Sequence, residues 1–125
     1  MRVIDDRPER LEFEAKCSEE FTSRNISFSL IKTFLSIQKP VEGDGYDDGF
    51  PHIHAPLHGF SLVHYLQIPK NAPPFHVMEG KDGGVKQVIE PKVGMTIVMA
   101  NNIYHGVLKS HAKADRIQMV GIAFP

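Results

Sequence analysis

Seven histidines are the residues of this 125-residue chain best equipped for chemistry: His52, His54, His58, His64, His76, His105 and His111. None falls in the first 51 positions, and four lie within residues 52–64. Pro51-His52-Ile53-His54 is the densest part. In an extended strand, side chains at i and i+2 share a face and stand about 6.5 Å apart along the chain. Two imidazoles on one strand therefore converge on a single metal ion. Imidazole serves iron, zinc, nickel and copper alike, so the pair does not name its metal. A third imidazole follows from Pro91-Lys92-Val93-Gly94, a strand to Ala100, a turn, and then Tyr104-His105. In a small barrel, strands distant in sequence become neighbours, which lets His105 meet the face of His52 and His54.

Arg116 comes eleven positions after His105. If His111 and Ala112 centre a hairpin, residue 105 faces 118 and 107 faces 116. Arg116 and Gln118 then enter the barrel on the side of His105. A buried arginine requires an anion, and a carboxylate matches its fork best. A one-residue change of register sends Arg116 outward, where a salt bridge to Asp115 is the alternative.

The elements that must position these residues read as strands. Apolar residues alternate with polar ones at Leu11 to Glu14 and from Ile26 to Leu30, with a phase change and a bulge expected near Leu30-Ile31. Further strands are expected at Gly59–Ile68, Phe75–Met78, Val85–Ile89, Met95–Ala100, Tyr104–Leu108 and Arg116–Phe124. Asn71-Ala72-Pro73-Pro74, Asp82-Gly83-Gly84, Pro91 to Gly94 and Asn101-Asn102 supply the turns between them. One short helix is expected around Ser18 to Ser23, with Ser18 as its cap. Gly43 to Gly49 reads as an acidic, solvated loop without the spaced ligands of a calcium site. About eight short strands predict an all-β sandwich or barrel in one domain spanning residues 1–125.

Composition narrows the function classes. Fourteen Lys and Arg against fifteen Asp and Glu leave a net charge of -1, which gives no electrostatic case for nucleic acid or an anionic membrane. No apolar run approaches the roughly 20 residues of a membrane span, and Met1 to Pro8 lacks the apolar stretch of a secretory signal. Cys17 stands alone, which excludes an intrachain disulfide and a cysteine-based zinc cage. A soluble cytoplasmic protein is expected.

Taken together, Pro51 to His54 with Phe60 to Pro69, Glu90 to Val98 with His105-Gly106-Val107, and Arg116-Ile117-Gln118 with Gly121 to Phe124 resemble the small 2-oxoglutarate/Fe(II) oxygenase-like proteins. The resemblance covers roughly residues 50 to 125. It implies a double-stranded β-helix, an Fe(II) site (or another divalent transition metal) and 2-oxoglutarate as co-substrate. Carried over by position, His52 and His105 are metal ligands and Arg116 pairs with the far carboxylate of 2-oxoglutarate. His54 stands where the wider superfamily has Asp, which makes the metal set His52, His54 and His105. Tyr65 is a candidate hydrogen-bond donor to the co-substrate. The implied activity is a dioxygenase hydroxylating an unknown substrate, small-molecule or otherwise.

The cupins share the barrel and an HxH motif with a distant histidine. His58 occupies the place of their glutamate, so a cupin-type metal protein that does not use 2-oxoglutarate is the alternative. A non-catalytic β-sandwich module is a third. His58 and His111 read as loop residues. By parity, His64 shares the face of His52 and His54, or else is a core histidine, and His76 is open to both readings. Cys17 and the methionines read as core. The short chain leaves little for a substrate lid, and exposed edge strands favour a homodimer.

Overall fold

The computed structural model describes residues 2–3, 8–47 and 51–125. Asp48 and Gly49 of the acidic loop lie outside the described residues, as do Met1 and residues 4–7 of the opening stretch. Among the described residues, eight strands and one helix follow in the order β1 (Arg2–Val3), α1 (Pro8–Ser23), β2 (Leu30–Gln38), β3 (Phe60–Gln67), β4 (Phe75–Met78), β5 (Val85–Ile89), β6 (Thr96–Ala100), β7 (His105–Val107) and β8 (Arg116–Phe124). They form two antiparallel sheets, a large one of order β1-β2-β8-β3-β6 and a small one of order β5-β4-β7. The architecture is the expected double-stranded β-helix, a jelly-roll barrel of the cupin-like kind.

Alternation along the large sheet sorts side chains between two apolar layers. Phe34, Val63, Tyr65, Met99, Val120 and Ile122 point into the barrel and meet Phe75 of the small sheet. Ile31, Leu62 and Ala123 point the other way, onto Cys17 and Phe21 of α1. Burying a side chain such as Phe21 contributes roughly 1.5–3 kcal/mol.

The helix is longer than its sequence suggests. It begins at Pro8, ten residues before the expected Ser18 cap, and takes in the Leu11–Glu14 segment read as a strand. Proline fits a first helical turn, where no backbone donor is needed, and Glu9 there opposes the helix dipole. Arg10–Glu14 and Glu20–Arg24 pair at 3.0 and 2.7 Å across single turns. The buried stripe is narrow, Phe13, Cys17 and Phe21 at intervals of four, and Leu11 lies outside it at 52% exposure. The helix closes as a Schellman motif: the Ile26 amide donates to Phe21 O and the Asn25 amide to Thr22 O, with Asn25 at φ 60°.

Three further expectations are corrected. Ile26 and Phe28 precede β2 instead of beginning it, because their side chains pack on the helix, with the Phe28 ring 6.3 Å from that of Phe21. The register from Leu30↔Phe124 to Gln38↔Arg116 runs without the bulge expected at Leu30-Ile31. The hairpin expected between His105 and Arg116 does not form either. Strand β7 pairs with β4, while β8 pairs with β2 and β3 in the other sheet. The connecting segment is tied to the end of β2, where the Val41 amide donates to Ser110 O and Gln38 Nε2 to Leu108 O. Buried Ser110 and Ala112 fix that segment as a crossover between sheets.

Candidate metal centre

The turn from β6 to β7 builds one side of the site. Asn101 opens it, and His105 begins β7 at its far end. The Nδ1–H of His105 donates to Ile103 O at 2.9 Å. With that hydrogen committed to a carbonyl, Nε2 is the nitrogen left to carry a lone pair, as ligation requires. Phe75 stacks on the ring at 5.3 Å with an interplanar angle of 12°. These contacts hold one rotamer of a histidine that is only 5% exposed.

The HxH segment forms the other side. It joins the sheet by a single bridge, in which the His52 and His105 amides each donate to the other's carbonyl at 2.9 and 3.0 Å. His54 is held by its own amide, which donates to Asn101 O at 2.9 Å. The three rings meet, with centroids 4.5 to 5.1 Å apart, and His54 Nε2 lies 3.0 Å from His105 Nε2. One donor atom from each residue falls within 4.8 Å of the others. Two nitrogens about 2.1 Å from one ion at a right angle stand about 3.0 Å apart, so the spacing of His54 and His105 suits a shared transition metal. Among the described residues the group is three imidazoles and no carboxylate.

A second polar group lies in the same barrel. Arg116 faces inward beside Gln38 in register, and Gln118 beside Tyr65. Arg116 is 5% exposed and Tyr65 1%. Among the described residues, Arg116 Nε and Nη1, Tyr65 Oη, Gln118 Oε1 and Gln38 Oε1 have no hydrogen-bond partner. Burial lowers the pKa of Arg116, opposed by Tyr65 and Asp47. Burial raises that of Tyr65, opposed by Arg116, so the phenol keeps its proton at neutral pH. The guanidinium remains charged. Arg116 and Tyr65 thus bring together buried donors without protein partners, a set whose chemistry would match an anion.

The solved structures that resemble this chain are distant in sequence. A Pseudomonas putida prolyl-4-hydroxylase matches with a TM-score of 0.66 at 13% identity, over 100% of this chain and 71% of that one. A protein called IDO from Bacillus thuringiensis matches with a TM-score of 0.57 at 9% identity, over 91% of this chain and 58% of that one. The TT1209 protein of Thermus thermophilus matches with a TM-score of 0.50 at 15% identity, over 74% of this chain and 71% of that one. The likeness is one of fold alone. No family model matches the chain, and no curated protein does.

The remaining histidines fall away from this centre. His64 points to the outer face of the large sheet, where Nδ1 is 2.9 Å from Thr96 Oγ1 and the ring is 6.2 Å from that of Phe13. Parity with His54 fails because residues 55–58 turn, which resets the alternation. His76 bonds Tyr46 Oη at 3.1 Å on the outer face of the small sheet. His58 and His111 are exposed, in agreement with loop positions. Cys17 is 1% exposed, its thiol pushed up to about 12 by burial and then by Glu14 and Glu20, which leaves it inert. Arg116 reaches the barrel as expected, though through pairing with Gln38 and not through a hairpin with β7. Asp115 lies 3.9 Å from Lys39, not on Arg116. The sequence reading missed Gln38 and Asn101. Gln38 carries no signal beyond a polar residue in an apolar strand, and Asn101 reads as an ordinary turn residue.

Proposed function

We propose that the chain is a metal-dependent dioxygenase of the 2-oxoglutarate/Fe(II) type, hydroxylating a small-molecule substrate. The reading is carried by one observation: three convergent imidazoles and a buried guanidinium with unpartnered donors occupy one barrel. His52, His54 and His105 would hold the metal. When bound, ferrous iron supplies the redox chemistry that couples dioxygen reduction to oxidative decarboxylation of a 2-oxo acid and oxidation of a C–H bond.

The chain's own residues do the rest. Three neutral donors leave the charge of a divalent cation uncompensated, which favours an anionic co-substrate beside it. Arg116 offers charge-assisted bonds to a distal carboxylate, and Tyr65 adds a protonated phenol. Both are removed from water, which strengthens each bond to an anion. Ile103 O fixes the His105 ring, and Phe75 covers its face.

A cupin-type metal protein that does not use 2-oxoglutarate is the second reading, favoured by a ligand group that holds no carboxylate among the described residues. Anaerobic titration of the metal-stripped protein with Fe(II) and then 2-oxoglutarate separates the two. The oxygenase reading expects a weak visible charge-transfer band that needs both additions and disappears in Arg116→Ala. Metal uptake that depends on the three histidines, without that band, selects the cupin reading. No uptake at all leaves a metal-free β-sandwich.

A further inference from the structure

We infer that Asn101 is a positioning residue for the metal centre, a clamp that sets where His54 stands; the inference rests on the metal-centre reading above. Asn101 is fully buried, at 0% exposure, yet all its polar groups are engaged. Its carbonyl accepts from the His54 amide at 2.9 Å, its own amide donates to Gly59 O at 2.9 Å, and Nδ2 donates to Pro56 O at 2.9 Å. On the opposite side, Oδ1 accepts from the Ser61 hydroxyl in β3. Its backbone thereby holds His54 and Gly59, and its side chain ties Pro56, between them, to Ser61 of the large sheet.

The packing around the clamp is equally tight. A Cβ at Gly59 would stand 2.5 Å from Ala123 O and 2.8 Å from Asn101 Nδ2, so the loop reaches this depth only because residue 59 is glycine. Asn101 also opens the turn that ends in His105, whose ring is oriented by Ile103 O of that same turn. The β6–β7 turn thus places two ligands at once: His105 by chain continuity and His54 through Asn101. Residues that orient ligands from behind change metal affinity without touching the ion.

Co(II) binding, followed by its visible absorption, tests the assignment against a merely structural role. Asn101→Asp keeps the size and the Oδ1 acceptor but removes the donor to Pro56 O. It is expected to weaken Co(II) binding 10- to 100-fold, the range found when such orienting partners are lost. In a His54→Ala background the same substitution is expected to cause no further loss, because the clamp acts through His54. Unchanged affinity, or an equal loss in both backgrounds, overturns the assignment while the metal centre stands. A parent protein that takes up no Co(II) overturns the metal-centre reading and this inference with it. Should Asn101→Asp not fold, Ser61→Ala decides: affinity lost only where His54 is present supports the clamp, and unchanged affinity refutes it.

Discussion

Arg116 carries its charge into the barrel at every ordinary pH, and what it meets there decides its effect on stability. Its Nε and Nη1 are buried without a protein hydrogen-bond partner, and burying charged donors unpaired costs several kcal/mol. Replacing it with an apolar side chain of similar length removes that cost. Arg116→Met is therefore expected to leave the ligand-free protein more stable by about 1–3 kcal/mol, read from urea unfolding. The same variant is expected to lose any stabilisation by 2-oxoglutarate, which for the parent amounts to about 2.7 kcal/mol at a hundredfold excess over Kd. A variant still stabilised by 2-oxoglutarate would show that the anion binds elsewhere. The sequence put Arg116 in the barrel only on condition of a hairpin with the strand of His105, which does not form; Arg116 reaches the interior through β2 instead. Its neighbours were not legible: Gln38 meets Arg116 only through a pairing between strands 78 residues apart in sequence.

At the scale of elements, the contact of α1 with the large sheet is set by one glycine. A Cβ at Gly121 would lie 2.8 Å from Cys17 Sγ and 3.5 Å from Cys17 Cβ. Gly121→Ala is thus expected to push helix from sheet and destabilise the fold by about 1–3 kcal/mol, as overpacking does. Cys17→Ala removes the sulfur and leaves an ordinary contact with the new methyl group. The double variant is accordingly expected to cost at least about 1 kcal/mol less than the sum of the singles, measured by a thermal or urea double-mutant cycle. Additive costs would mean that the helix is not seated through Cys17. This interface explains why strands were easier to read than the helix. Phe75–Met78, Val85–Ile89 and Arg116–Phe124 stand where alternation and turn residues put them. The helix buries only a four-residue-spaced stripe and leaves Leu11 outside, so its amphipathic signal is faint, and Leu11-Glu12-Phe13-Glu14 imitates a strand.

The whole molecule turns on how two sheets are joined, and local sequence does not encode that. Between β7 and β8 the chain crosses from the small sheet to the large one, whereas a polar segment between two strands reads most simply as a hairpin turn. The division between the sheets, crossed already from β6 to β7, also separates the ligands. His105 belongs to the edge of the small sheet, while His54 hangs through Asn101 and Gly59 from the large one. An ion held by His52, His54 and His105 would therefore link the two sheets at the barrel mouth, adding a restraint absent from the unfolded chain. Its effect follows mass action: an ion at a hundredfold excess over Kd stabilises by about 2.7 kcal/mol, or about 10 °C in Tm for a domain of this size. Co(II) or Zn(II) added to the stripped protein is expected to raise Tm by that order and a chelator to reverse it. The amides of His52 and His105, which bond each other's carbonyls across the single bridge, should then exchange hydrogen more slowly, because opening the mouth would break metal bonds as well. His54→Ala is expected to abolish most of the Tm rise while leaving the metal-free Tm near that of the parent. A rise that survives His54→Ala, or one without slower exchange at His52 and His105, would place the ion elsewhere on the molecule and separate its binding from the closure of the barrel.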